Sequence, residues 1–185
     1  MDSEILTPRL RIRPWNIEDL TPLSEVFEKP EVWWYPFGRG FTRDETEAFL
    51  RRKIDAQKRD GVRPGAAEER GTGRLLGYIT LSPPDWLPEV MPTVEIGWRL
   101  DPTVWGQGLA SEGAAALLAY GFDELALPEI LSIYEPDNVA SGRVMEKIGM
   151  RFERDTVHPF FGRPLRIYRL SRQQWQTLNT VSLGG

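Results

Sequence analysis

Period-2 alternation is clearest at Val94, Ile96, Trp98 and Leu100, set off by Glu95, Gly97 and Arg99, and it predicts a half-buried strand. Asp101-Pro102 closes that strand, because proline donates no ladder hydrogen bond and restricts the residue before it. From Ala110 the spacing turns helical. Ala110, Ala114, Leu117, Leu118, Gly121 and Leu125 fall on one small-to-apolar face and predict a helix over 110–124. Pro128 marks a break, and residues 129–134 read as a short buried strand. Strand, helix and strand in this order make one right-handed βαβ crossover with two parallel strands.

The chain before this crossover predicts a short first strand over 7–14, with Leu10 and Ile12 inward. Asn16 can cap a helix carrying Ile17, Leu20, Leu23 and Phe27, with Asp19 in its first turn. Thr42-Arg43-Asp44-Glu45 is a capping box, so a helix should run from about 43 to 59, with Gly61 ending it. Residues 62–73 resist assignment, since Pro64, Gly65 and Gly71 weaken any strand around 66–70. Residues 74–81 read as a strand, and 82–92, with four prolines, as an exposed loop.

Beyond the crossover, Asn138 can cap a helix with Ala140, Val144 and Ile148 on one face and Gly149 as its left-handed stop. Residues 150–153 and 165–170 form a closing hairpin whose loop holds His158, Pro159 and Gly162. After Ser171 the pattern fades, and the tail over 171–185 is expected to fray. The order β, α, α, (β), β, β, α, β, α, β, β is α+β: a mostly antiparallel sheet with one central parallel crossover. No repeat or linker divides residues 1–185, so a single domain is expected.

Composition narrows the function classes. The absence of cysteine excludes disulfides, thiolate metal sites and any acyl-cysteine intermediate, and a single histidine makes a histidine-built zinc site implausible. A net charge of −4 argues against nucleic acid as a partner. No run approaches the roughly 18 apolar residues of a membrane span. Met1-Asp2-Ser3-Glu4 is no signal-peptide start, so a cytoplasmic protein is expected.

Candidate chemistry begins at the junction of strand and helix. Gly106 and Gly108 sit where the amides of a helix start point outward and can receive phosphate oxygens; a turn needing glycines only for its dihedrals reads equally well. Residues 106–111 almost spell a dinucleotide fingerprint, and Glu135 even follows the next strand. Against that, only one crossover is found and about a hundred residues precede the loop, where a dinucleotide fold opens on it and needs several crossovers. A Walker loop is excluded because no Gly-Lys-Ser/Thr follows. The aromatic run Trp33-Trp34-Tyr35-Pro36-Phe37-Gly38 is either packing of a long connection or a wall of a substrate pocket.

Four pieces in order resemble the GNAT superfamily of acyl-CoA-dependent N-acetyltransferases, within it the ribosomal-protein N-terminal alanine and serine acetyltransferases. They are Thr7-Pro8-Arg9-Leu10-Arg11-Ile12-Arg13-Pro14, Glu95-Ile96-Gly97-Trp98, Trp105-Gly106-Gln107-Gly108-Leu109-Ala110-Ser111-Glu112, and residues 136–150, which begin Pro136-Asp137-Asn138-Val139-Ala140-Ser141. The resemblance implies that strands 94–100 and 130–134 splay apart, with the pantetheine arm of acetyl-CoA between them. The arm would pair with the backbone of the first strand, at Ile96, Trp98 and Leu100. The amides of Trp105, Gly106, Gln107, Gly108, Leu109, Ala110 and Ser111 would hold the pyrophosphate, with Trp105 standing where an Arg or Gln often opens the family's loop. Asn138 matches the asparagine that contacts the pantetheine or the reacting groups.

Amine acetylation needs a neutral amine, a polarised carbonyl and a proton for the leaving thiolate. Glu95, on the strand beside the expected thioester, is the candidate base, or else orients the substrate. A backbone amide near Gly97 or Trp98 could stabilise the oxyanion if the strand bulges there as the family's does. Many family members place a tyrosine seven positions after the asparagine; here that position is Met145, and Ser141 is the substitute that steadies the thiolate. Tyr134 is a weaker candidate, while Glu112 and His158 read as structural and incidental. Trp33, Trp34 and Tyr35, with Glu95, are the candidate contacts to the acceptor amine, a protein N-terminus or a small molecule. The alternative is a non-catalytic acyl-CoA-binding protein on the same fold. Family members are often homodimers, and no metal is implied.

Overall fold

The computed structural model describes residues 4–60 and 65–182. Its contacts group the chain into two compact units, Met1–Thr80 with Trp98–Ala116, and Leu81–Gly97 with Leu117–Gly185.

The first unit holds strands β1 (Ile5–Leu6), β2 (Leu10–Arg13), β3 (Ala66–Glu69) and most of β4 (Leu75–Ser82), each antiparallel to the next. The last residues of β5 (Val94–Leu100) complete it. Helices α1 (Leu20–Phe27), α2 (Trp34–Phe37) and α3 (Arg43–Asp60) precede β3. Leu23, Val26, Phe27, Phe49 and Leu50 from α1 and α3 form one core with Trp15, Val32, Trp33, Ala66 and Leu75. Behind the other face lies α4 (Leu109–Ala119), whose Gly113 leaves no space for a side chain against Ile79, Leu10 and Ile12. Only a helix without a Cβ there approaches the sheet this closely.

Both N-caps predicted in this unit form. Asn16 and Asp19 close a capping box, as do Thr42 and Glu45. Ile17, however, is 44% exposed, because a 3-10 turn over Ile17–Asp19 rotates it off the helix's apolar face. β3 is a full strand despite its flanking glycines. Buried Glu68 is paired there by Arg11 and Arg13 of the neighbouring strand, a partnership invisible to local pattern. The expected stop at Gly61 and residues 62–64 lie outside the described residues.

In the second unit β5 pairs in parallel with β6 (Glu129–Tyr134). β6 lies antiparallel to β8 (Pro164–Ser171), and β8 to β7 (Arg151–Val157), so the parallel pair is the exception in a mixed, mostly antiparallel α+β fold. The predicted helix over 110–124 begins at Leu109 and ends in a π turn over Tyr120–Glu124 that fits Gly121 against Ile130. Helix α5 (Val139–Lys147) buries Gly142 and Met145; of the predicted face Ile148 is buried and Val144 half-buried, whereas Ala140 is exposed.

Two expectations are overturned in this unit. Residues 82–92 are no exposed loop: Leu87 and Val90 are buried against Leu131 and Ile167, because the prolines hold a turn over Pro88–Val90 on the sheet face. The expected fraying is replaced over Arg172–Ser182 by α6, which follows β8 directly, while residues 183–185 lie outside the described residues. Ser171 and Gln174 cap α6 reciprocally, and Trp175 stacks on Phe122 at 5.5 Å. No helix of the described residues is long and apolar enough to cross a membrane.

Candidate functional site

In the first unit the loop from β5 to α4 is fastened at its start by Asp101, 2% exposed. Its carboxylate accepts from Lys29 Nζ at 2.7 Å, Arg74 Nη2 at 2.6 Å and the Thr103 amide at 2.9 Å. Burial pushes the carboxyl's pKa up, but Lys29, Thr103 and Arg74 outweigh it and hold the group at about 2, against an ordinary 3.8. Because the folded value lies below the unfolded one, this ionisation stabilises the fold above pH 3.8 and its contribution drains away as the pH falls towards 2. The shift corresponds to about 2 kcal/mol. Asp101→Asn should therefore lower stability to denaturant at neutral pH by about 2 kcal/mol and flatten the acid limb of the stability curve. An unaltered acid limb would remove Asp101 from that role.

Past a 3-10 turn at Pro102–Val104, Trp105 donates from Nε1 to the Leu100 carbonyl at 2.8 Å while half its surface stays exposed. Gly106 and Gly108 take φ of +74° and +80°, where L side chains are strained. A Cβ at Gly106 would meet nothing within 4 Å, so the space over the loop is open. The first-turn amides of Leu109, Ala110 and Ser111 have no acceptor within α4, and the dipole adds partial positive charge. Glu112 of the same turn accepts from Thr7 Oγ1 at 2.6 Å, the Arg9 amide at 2.9 Å and Arg9 Nε at 2.7 Å. Burial opposes its ionisation, but these donors lower its pKa, which matches the structural role read for it.

In the second unit the parallel ladder is short. Its Cα partners are Val94↔Ile130 and Glu95↔Leu131. At the next step the Ser132 hydroxyl donates to the Ile96 carbonyl at 2.8 Å. Register places half-buried Glu95 on the same sheet face as Leu131, followed by Ile133. Trp86 packs on this face, and His158 stacks on Trp86 at 4.9 Å with Phe161 at 4.5 Å beyond it. His158 Nδ1 accepts from the Phe160 amide at 3.2 Å, and burial together with the Arg163 charge lowers its pKa. Buried Glu135 pairs with Arg163 Nε at 2.9 Å.

On the opposite face, buried Tyr134 meets α5 at Gly142, where a Cβ would lie 2.9 Å from its hydroxyl. Asn138 caps α5 by accepting from the Ser141 amide at 3.3 Å. The structure therefore brings Asn138 and Ser141 together but puts Glu95 on the other face of the sheet. Met145 is 1% exposed and packs in the core.

The aromatic run divides. Trp33 is buried in the first unit's core, stacked on Phe41 at 3.9 Å, with the Arg99 guanidinium 4.0 Å from its ring centroid. Trp34 is 54% exposed and Tyr35 half-buried. Trp33 Nε1 and Arg99 Nε are buried and have no hydrogen-bond partner among the described residues. Sequence reasoning missed the roles of Arg9, Asp101 and Ser132. Asp101-Pro102 carried a local capping signal, but the others depend on contacts remote in sequence. Among the described residues no group of three or more His, Cys, Asp or Glu could hold a metal ion.

The profile of the Acetyltransferase (GNAT) domain family matches residues 9–151. YnaD, an uncharacterised N-acetyltransferase of Bacillus subtilis (strain 168), is 35% identical over 149 residues, 80% of this chain and 83% of its own. The crystal structure of a GNAT-family acetyltransferase from Bacillus anthracis superposes with a TM-score of 0.78 at 30% identity, covering 92% of this chain and 99% of that one. The ribosomal-protein-S5-alanine acetyltransferase from Vibrio fischeri shares the fold, with a TM-score of 0.74 at 14% identity over 94% of this chain and 99% of that one.

Proposed function

The chain belongs to the GNAT acetyltransferases, and from that footing we propose that it moves an acetyl group from acetyl-CoA to a primary amine by direct attack in a ternary complex. The observation that carries this reading is the β5–α4 loop: two left-handed glycines under open space, followed by three helix-start amides without intrahelical acceptors. That donor set suits a pyrophosphate and asks for no lysine or metal. Trp105, Gly106, Gln107, Gly108, Leu109, Ala110 and Ser111 hold the phosphates. The backbone of Ile96, Trp98 and Leu100 and the Asn138 side chain hold the pantetheine arm.

In the reaction the amine nitrogen bonds to the thioester carbonyl carbon and the carbon–sulfur bond breaks. With no cysteine in the chain, no acyl-cysteine intermediate intervenes. Glu95 accepts the proton the amine loses, and the Ser141 hydroxyl donates a hydrogen bond to the departing thiolate. The acceptor approaches from the sheet face that Glu95 shares with Ile133 and Trp86. Trp34 and Tyr35, backed by buried Trp33, are the proposed further acceptor contacts.

Incubation with acetyl-CoA and a panel of primary amines should release free thiol in proportion to acetylated amine. CoA binding without thiol release on any amine would favour a non-catalytic acyl-CoA-binding protein, the reading that the buried Met145 at the acid position supports. Ser141→Ala should lower kcat by about tenfold, the scale of one lost hydrogen bond to charge, while leaving acetyl-CoA affinity within twofold. An unchanged kcat takes Ser141 out of the mechanism.

A further inference from the structure

The motif Thr7-Pro8-Arg9 is absorbed by neither the acetyl-transfer chemistry nor the core. Thr7 and Arg9 converge on Glu112 from more than a hundred positions away in sequence. A carboxylate in the first turn of α4 suits the helix dipole but would repel a phosphate bound at the same amides. Arg9 answers that repulsion. Its Nε donates to Glu112 Oε2 at 2.7 Å and its Nη1 to the Gln107 carbonyl at 2.9 Å, so the guanidinium is held in one orientation by the helix and by the glycine loop at once.

Arginine carries five N–H donors in a rigid fork. These two contacts leave the Nη2 hydrogens without an acceptor among the described residues. Nη2 lies 3.7 Å from where a Cβ on Gly108 would be, on the side of the loop left open by the missing side chain. The Arg9 side chain is also 49% exposed, so these donors are accessible.

We infer that Arg9 is a second cofactor-binding element, a fixed guanidinium that offers Nη2 to the pyrophosphate of the CoA donor while cancelling the charge of Glu112. The inference rests on the loop being the pyrophosphate site. It assigns the turn between β1 and β2 a part in choosing nucleotide-bearing thioesters over bare ones. Arg9→Met should raise KM for acetyl-CoA about tenfold with kcat within twofold. Turnover of S-acetylpantetheine, which has no pyrophosphate, should not change. Arg9→Lys, which keeps the charge but loses the fork, should fall between the two.

Each outcome decides something. Equal losses with both thioesters would make Arg9 a structural strut and overturn the inference. So would a wild-type preference for acetyl-CoA that survives in Arg9→Met. A loss that disappears with acetyl-dephospho-CoA would mean Arg9 reads the 3′-phosphate, and the pyrophosphate assignment would fall. A wild-type enzyme indifferent to the nucleotide would instead sink the loop reading itself. Melting temperatures of the variants, measured beside the kinetics, separate any loss of fold from loss of binding.

Discussion

Valine at position 108 is expected to remove measurable acetyl-CoA binding by titration calorimetry, a loss of at least about 100-fold, or about 2.7 kcal/mol. Gly108 holds φ at +80°, a region that β-branched residues essentially never enter, so the loop must rearrange to admit the new side chain. Rearrangement turns the amides at the start of α4 away from their common focus, and a branched side chain fills the space the phosphates need. The same substitution should leave the far core intact, because a Cβ at Gly108 has only the Arg9 guanidinium within 4 Å. A folded Gly108→Val protein that binds acetyl-CoA with native affinity would show that the glycines serve the turn alone.

Glu95→Gln should lower kcat by about 10²–10⁴, the range associated with one positioned proton acceptor. KM for acetyl-CoA should stay within threefold, since the proposed role of Glu95 is towards the amine. A fall of less than threefold in kcat would leave Glu95 as a substrate-orienting group.

Local signals served the sequence reading well wherever the determinants were local. Capping boxes at Asn16–Asp19 and Thr42–Glu45 involve atoms three residues apart, and both form as read. The strand from Val94 and the helix start near Ala110 follow from period alone. Ser171 and Gln174 carry the same reciprocal signature, yet the segment after them was read as a fraying end. The apolar partners of its helix, Phe122 for Trp175 and Gly149 for Leu178, come from other elements and give that helix its fixed seat.

Other features rest on charge pairs that no window along the chain can display. β3 carries a glutamate inward because arginines of the adjoining strand meet it, and Asp101 is buried because Lys29 and Arg74 reach it from 72 and 27 positions away. The same holds at the candidate site. Glycines and the Asn138 cap were legible, whereas the Arg9–Glu112 clasp was not. Opposed placement of Glu95 and Ser141 was hidden for a different reason. It depends on the parity of β5 against β6, which two Cα pairs define and which neither strand's sequence specifies alone.

That opposed placement bears on inhibition. Under the proposed roles, a compound that tethers an amine mimic to a thioester mimic has to present its two ends to opposite faces of the sheet, one to Glu95 and one to the α5 side where Asn138 and Ser141 sit. An inhibitor built to lie flat on one face would then engage only one of the two groups.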